Sequence, residues 1–196
     1  MARWEPNTRE RLVRAALELF TERGYDATTV NEIAERAGGL TKMTFFRHFP
    51  DKREVLFAGQ DMHSRLLADA IASAPGPATP LQAVATALDA LTATFTDDRR
   101  EFAARLRAVI AGNSELRERA AFKRTGLTEA MTEALEKRGV PDLAASLAAE
   151  LGIRAFDRAF DQWADPASQQ ALTVLARHAL DELQAAVNRL DTEDQS

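Results

Sequence analysis

The chain is predicted to be all-α, with a short three-helix N-terminal segment and a longer helical bundle behind it. Three observations carry this. Apolar residues recur at i, i+3, i+4 and i+7 along nearly all of its 196 residues. Capping and stop residues punctuate that periodicity at intervals suited to helices. No alternating strand pattern, Asn-Gly or Asp-Gly hairpin turn, or repeat of fixed period interrupts it.

The elements follow in order. Leu12, Ala15, Ala16, Leu19 and Phe20 mark one buried face of a first helix, capped by Asn7 with Glu10 and stopped by a left-handed Gly24. A second, shorter helix starts at Thr29, with Glu32 at the capping-box distance, and turns Val30, Ile33, Ala34 and Ala37 to one side. Gly38-Gly39 break it, and Thr41 caps a third helix through TKMTFFRHF, which Pro50 ends. Asp51 and Glu54 form a further capping box, opening a long fourth helix to about Ser73. The segment SAPGPATP is a linker in which Pro75, Pro77 and Pro80 impose a rigid break. Thr79-Pro80 then begins a fifth helix. Further helices are expected over 98–111 (stopped by Gly112), 114–138 (stopped by Gly139), 142–164, and 166–190 (opened by Asp165-Pro166).

Composition excludes several classes of function. There is no cysteine, hence no disulfide scaffold, thiol catalysis or Cys-ligated metal. No apolar run reaches the ~18 residues that a membrane span needs, and MARWEPNTRERL lacks a signal-peptide core, so a soluble, cytoplasmic protein is expected. The net charge of −5 hides an asymmetry: residues 1–53 carry 10 Lys/Arg against 8 Asp/Glu, whereas the remainder is acidic.

The chemistry concentrates in the third helix. On a wheel of 3.6 residues per turn, Phe45 and Phe49 fall on one side, suited to packing against Leu19, Ile33 and Leu40. Lys42, Met43, Phe46 and Arg47 fall on the other, with Thr44 and His48 on the flanks. Phe and Met gain nothing from facing water. In a major groove, Lys and Arg can bond guanine edges while Met, Phe or a Thr methyl touches a thymine methyl. Thr29, His48 and Lys52 stand at helix ends or edges, where phosphate donors would sit.

TRERLVRAALELFTERGYDATTVNEIAERAG followed by LTKMTFFRHFPDKREVLF resembles the DNA-binding domain of the tetracycline-repressor-like (TetR) family of bacterial regulators. The resemblance implies a helix-turn-helix DNA-binding domain over residues 7–66 and a helical ligand-binding and dimerisation domain over 67–190. It further implies a homodimer on a double-stranded, palindromic operator, with repression released by a small molecule. Position by position, it makes Thr29, His48 and Lys52 backbone or phosphate contacts, and Lys42, Met43, Thr44 and Arg47 the base-facing surface. Phe46 stands where the family most often has Tyr, so an apolar contact replaces a phosphate-reaching hydroxyl. Gly39-Leu40 also departs from the family's usual turn.

The second half offers no catalytic constellation, metal site, cofactor motif or phosphate-cradling glycine loop, and the protein is not expected to be an enzyme. His63 and His178 read as single surface histidines. Asp157 and Asp161 read as part of an ion-pair ladder with Arg154 and Arg158. Phe95, Phe102, Leu106, Phe122, Met131, Phe156, Phe160 and Trp163 are candidate pocket walls, and ten Phe against one Tyr favour an apolar or aromatic effector. Leu172, Ala176, Ala179, Leu183, Ala186 and Leu190 repeat as a heptad seam, matched on the preceding helix by Leu143, Leu147 and Leu151. Two such helices per subunit would close an intersubunit four-helix bundle. Two other readings stay open: a non-specific architectural DNA binder, for which the net charge is unsuited, and a helical small-molecule-binding protein without specific DNA readout.

Overall fold

The computed structural model describes residues 8–190, and every regular element among them is helical. The expected Asn7 cap lies outside the described residues. The chain divides into two compact units. The first comprises the residues up to Gln60 together with Ala104–Ala121, and the second comprises Asp61–Ala103 and the chain from Phe122 onward.

In the first unit, α1 (Thr8–Arg23) buries Leu12, Ala15, Ala16, Leu19 and Phe20, and Leu17 as well. Gly24 follows it with φ +85°. α2 (Val30–Arg36) and α3 (Lys42–His48) stand where their caps were expected. The fourth helix differs. Asp51 Oδ1 does accept from the Arg53 and Glu54 amides, at 2.8 and 3.1 Å. The element it caps, however, is a 3₁₀ turn, Arg53–Phe57, and α4 (Gln60–Ser73) begins separately. Gly59, a weak helix former, stands at the break.

In the second unit, α5 (Pro80–Thr92) opens with a full capping box between Thr79 and Gln82. A 3₁₀ turn, Asp97–Arg99, leads into α6 (Arg100–Gly112), and α7 (Ser114–Lys137) follows; parts of both belong to the first unit. α8 (Asp142–Trp163) and α9 (Leu172–Leu190) complete the chain. Asp165-Pro166 does not open α9. The Asp165 carboxylate accepts from Ala167 N and its carbonyl from Ser168 N, closing a local turn, and the helix begins only at Leu172.

The core of this unit joins α5, α8 and α9 through Val84, Leu88, Leu91, Ala149, Ile153 and Leu180. Gly152 permits the close approach: a Cβ there would lie 2.5 Å from Val84 Cγ1 and 3.0 Å from Met131 Cε. Arg138 closes the C-terminal end of α4, its guanidinium donating to the carbonyls of Ile71, Ala74 and Pro75 at 3.1, 2.8 and 2.7 Å. No helix among the described residues is long and apolar enough to cross a membrane.

Candidate nucleic-acid interface

The site is assembled from short helices whose geometry is set by their ends. α2 has only seven residues, below the length at which a helix holds itself in water. Its N-terminus is therefore fixed by chemistry. Thr29 Oγ1 accepts from Glu32 N at 3.3 Å, and Thr29 N donates to Glu32 Oε2 at 2.8 Å. These Thr29 donors hold the Glu32 carboxyl below the usual carboxylate range, with help from Arg23. At the other end Gly38 and Gly39 take φ +104° and +71°, a left-handed pair that few side chains adopt. Leu40 N returns to Ala34 O at 2.9 Å, closing the turn.

α3 starts on Thr41, whose hydroxyl accepts from Thr44 N at 3.1 Å. Phe45 and Phe49 are fully buried, with ring centroids 5.4 Å apart. That anchor turns the opposite face outward. Met43 is 82% exposed and Phe46 44%, and Lys42 and Arg47 are exposed beside them. Phe46 meets Phe45 edge-on at 5.5 Å, and Lys42 Nζ lies 5.8 Å from the Phe46 ring. The exposed face thus combines two cations with two apolar side chains on one rigid helix. Such a surface suits donor-and-methyl readout of base edges.

The remaining expected DNA residues are placed differently. Thr29 is exposed but its hydroxyl is engaged in the cap, also meeting Glu32 Oε2 at 2.8 Å. The Thr44 hydroxyl pairs with that of Thr41 at 3.1 Å. His48 is half-buried beside Phe49. Lys52 turns inward: its ammonium donates to the carbonyls of Tyr25 and Thr28 at 2.8 and 3.0 Å and lies 3.9 Å from the centre of the Tyr25 ring.

Sequence reasoning passed over Arg11 and Tyr25. Arg11 Nε donates to Ala37 O at 2.8 Å, tying α1 to the end of α2. The Tyr25 hydroxyl donates to Glu115 at 3.1 Å, and Arg53 pairs with the same carboxylate at 3.3 Å. Burial first, and then Glu115 as acceptor, push the Tyr25 phenol well above its ordinary range. The available signal was the double glycine, because two left-handed residues leave helix-end carbonyls in need of donors.

In the second unit the expected pocket walls do not form one group. Phe95 stands at the centre of an aromatic cluster, with the rings of Phe160, His63, Phe156 and Trp163 at 5.6, 5.7, 5.8 and 6.2 Å. His63 is therefore half-buried rather than a surface histidine, and burial lowers its pKa. Trp163 is fully buried; among the described residues its Nε1 makes no hydrogen bond of ordinary geometry, though it interacts with the Asp97 carboxylate, and Arg100 covers the ring at 5.1 Å. Phe102 is half-buried, Leu106 belongs to the first unit, Phe122 is exposed, and Met131 is closed in the core beside Gly152. His178 is exposed, with Glu182 as its i,i+4 neighbour at 3.8 Å. Asp157 and Arg158 also pair across helices, with Arg124 at 3.1 Å and with Glu182 at 3.3 Å.

The heptad seam also needs correction. Leu172, Ala176 and Ala179 are buried inside this protomer, because α9 packs that face on its own α5 and α8. Leu183 and Ala186 are half-buried, and Leu190 is exposed. The exposed apolar side chains here are Leu143, Leu147 and Leu190 from the expected seam and stripe, joined by Val187. Leu147, Leu151 and Val187 line a groove of about 350 Å³ with Leu81 and Gln184.

Comparison with known proteins matches the first unit to a family. Residues 12–58 fit the model of the bacterial regulatory proteins of the tetR family. The chain is 39% identical over 94 residues to the HTH-type transcriptional regulator TcmR of Streptomyces glaucescens, a match covering 48% of this chain and 41% of that one. Other curated regulators are matched over 17–30% of their own length. Among solved structures, the Bacillus subtilis transcriptional regulator FadR, in complex with stearoyl-CoA, aligns with TM-score 0.60 at 19% identity, covering 88% of this chain and 95% of that one. The Thermus thermophilus repressor FadR, in complex with lauroyl-CoA, aligns with TM-score 0.50 at 26% identity, covering 90% and 93%.

Proposed function

From the match of residues 12–58 to the tetR family model, we propose that this chain belongs to that family of bacterial regulatory proteins and is a ligand-released repressor acting as a homodimer on a palindromic operator. DNA-binding regulation is the family's activity. The observation that carries the finer reading is the face of α3: Lys42, Met43, Phe46 and Arg47 project together from a helix locked by Phe45 and Phe49. In this reading Lys42 and Arg47 bond base edges, and Met43 and Phe46 contact thymine methyls or sugar. A single such helix reads too few base pairs, so two heads bind half-sites about 34–36 Å apart, or a multiple of that.

The pairing surface in this reading is the apolar face of α8 and α9 around Leu147, Leu151 and Val187, which keeps the expected Leu147 and Leu151 and leaves out the buried Leu172, Ala176 and Ala179. The effector is apolar or aromatic and enters beside the Phe95, Phe156 and Phe160 cluster. The likeness to the lauroyl-CoA complex supports a ligand with a substantial apolar part. Release requires that ligand to favour the non-binding arrangement, by no more than its difference in affinity for the two states. A regulator of this kind works in the cytoplasm without a membrane partner.

The test is capture and sequencing of sheared genomic DNA by the purified protein, beside a Lys42→Ala/Arg47→Ala variant. Sharp peaks sharing a palindrome, lost in the variant while its melting temperature stays unchanged, are the expected result. A flat profile from wild-type protein stripped of ligand by refolding overturns the reading.

A further inference from the structure

We propose that Lys52, with Arg11 as its counterpart, is a positioning residue that fixes α2 from inside the head and does not itself contact phosphate. The inference deepens the DNA-binding reading and rests on it.

A seven-residue helix such as α2 makes few internal hydrogen bonds, so carbonyls at and before its ends need donors from elsewhere. At the C-terminal end Arg11 supplies one, Nε to Ala37 O at 2.8 Å. Its guanidinium also fills the space over Gly38, where an added Cβ would stand 1.9 Å from Nη2. Before the N-terminal end the carbonyls of Tyr25 and Thr28 point at one ammonium, that of Lys52, at 2.8 and 3.0 Å. The Thr28 carbonyl belongs to the peptide that leads into the Thr29 cap, so Lys52 holds the residue from which α2 starts.

The third constraint on Lys52 is aromatic. Its Nζ lies 3.9 Å from the Tyr25 ring centre, close enough for a strong cation–π contact. Tyr25 cannot follow a departing ammonium. It is buried, edge-on to Phe20 at 5.2 Å, and tethered by its hydroxyl to Glu115. Swinging Lys52 out to a phosphate would forfeit the ring contact and the bond to the Thr28 carbonyl, and would leave the Tyr25 carbonyl only the Thr28 amide at 3.2 Å; unmet backbone groups are costly. Lys42 is the contrast: it is exposed and approaches the Phe46 ring more loosely, at 5.8 Å. Two cations of one head thus do different work.

The experiment compares Lys52→Met and Lys42→Met, without DNA and on a mixed-sequence duplex titrated at several salt concentrations. A positioning Lys52 predicts that K52M melts about 4 °C or more below wild type without DNA, while the slope of log affinity against log salt stays that of wild type. K42M should keep the wild-type melting point, whereas a lysine that pairs with one phosphate takes about 0.9 from the slope when it is removed. K52M that melts like wild type and loses that slope overturns the proposal. If K52M does not fold, wild-type NMR decides. The Lys52 ε-methylene protons, shifted upfield by the Tyr25 ring, should stay shifted when duplex is added, and a return to ordinary lysine values overturns the proposal. Wild-type protein that binds no duplex refutes the DNA-binding reading itself, while the DNA-free melting comparison still decides whether Lys52 holds the head together.

Discussion

The head and the body both leave large apolar side chains in water, and they do so in different company. In the head, Met43 and Phe46 project from one helix between Lys42 and Arg47. In the body, the exposed Leu147 and Val187, with the half-buried Leu151 between them and the core, come from two helices and are bordered by Gln184 and Asn188 rather than by cations. An apolar patch framed by positive charge fits a polyanion that also carries methyl groups. A patch framed by neutral amides fits another protein surface. Exposure alone would class the two together; the framing charge separates their partners.

Removing the anchor of one region should break this comparison most completely. Phe45 is fully buried and orients the whole exposed face of α3. Phe45→Ala should destabilise the head by about 3–5 kcal/mol, the usual cost of deleting a buried aromatic ring. Hydrogen exchange would locate the damage: amides of α1 to α3 should lose protection while the α8 and α9 core keeps it. Equal loss in both regions would mean that the head is not an independent cooperative unit.

The body has a matching weak point in Gly152. Alanine is the better helix former by about 1 kcal/mol, but its methyl would press on Val84 Cγ1 from 2.5 Å. Val84 is β-branched and fully buried, so it cannot rotate away. Overpacking of this kind costs about 1–3 kcal/mol, so Gly152→Ala should lower the thermal midpoint despite the gain in helix propensity. A raised midpoint would show that α5 and α8 can separate by a few tenths of an ångström at little cost.

A third substitution sharpens the contrast at the surface. Leu147 is 52% exposed, so Leu147→Asp should change protomer stability by less than about 1 kcal/mol. If the α8 and α9 face joins two copies, the same change buries a charge and should convert dimer to monomer in sedimentation velocity. A dimer indifferent to Leu147→Asp would place the interface elsewhere.

These predictions also mark what was legible in the sequence. The head could be read because its devices are local. Thr29 with Glu32, Gly38-Gly39 and Thr41 each act within a few residues, and Phe45 and Phe49 declare their face by spacing alone. The inward turn of Lys52 was hidden because its partners, Tyr25 and Thr28, stand far back along the chain. The body could be read only to the level of helices. Heptad spacing marks Leu172, Ala176 and Ala179 as an apolar stripe but cannot say whether the partner is the protein's own α8 or that of a second copy. Asp165-Pro166 misled for a different reason: its turn is closed by an Asp side chain, the same chemistry that caps a helix.

The smallest expected effect concerns pH, and it belongs to the body alone. His63 is half-buried against Phe95, and burial lowers its pKa below that of the unfolded chain. Its ring packs on Phe95, and desolvation disfavours the charged form, so the neutral ring is the form that the fold accommodates. Between the folded and unfolded pKa values the unfolded chain binds more protons, so stability rises with pH across that window. The contribution is complete above the unfolded value of about 6.5 and is lost as pH falls from there toward the folded value. His63→Gln removes the titrating group. Its melting temperature should therefore fall less than that of wild type between pH 7.5 and 5, while the two proteins keep a constant difference above pH 7. Parallel curves across the whole range would mean that the ring is solvated well enough to hold its proton where it stands. In that case the aromatic cluster around Phe95 is already open to water.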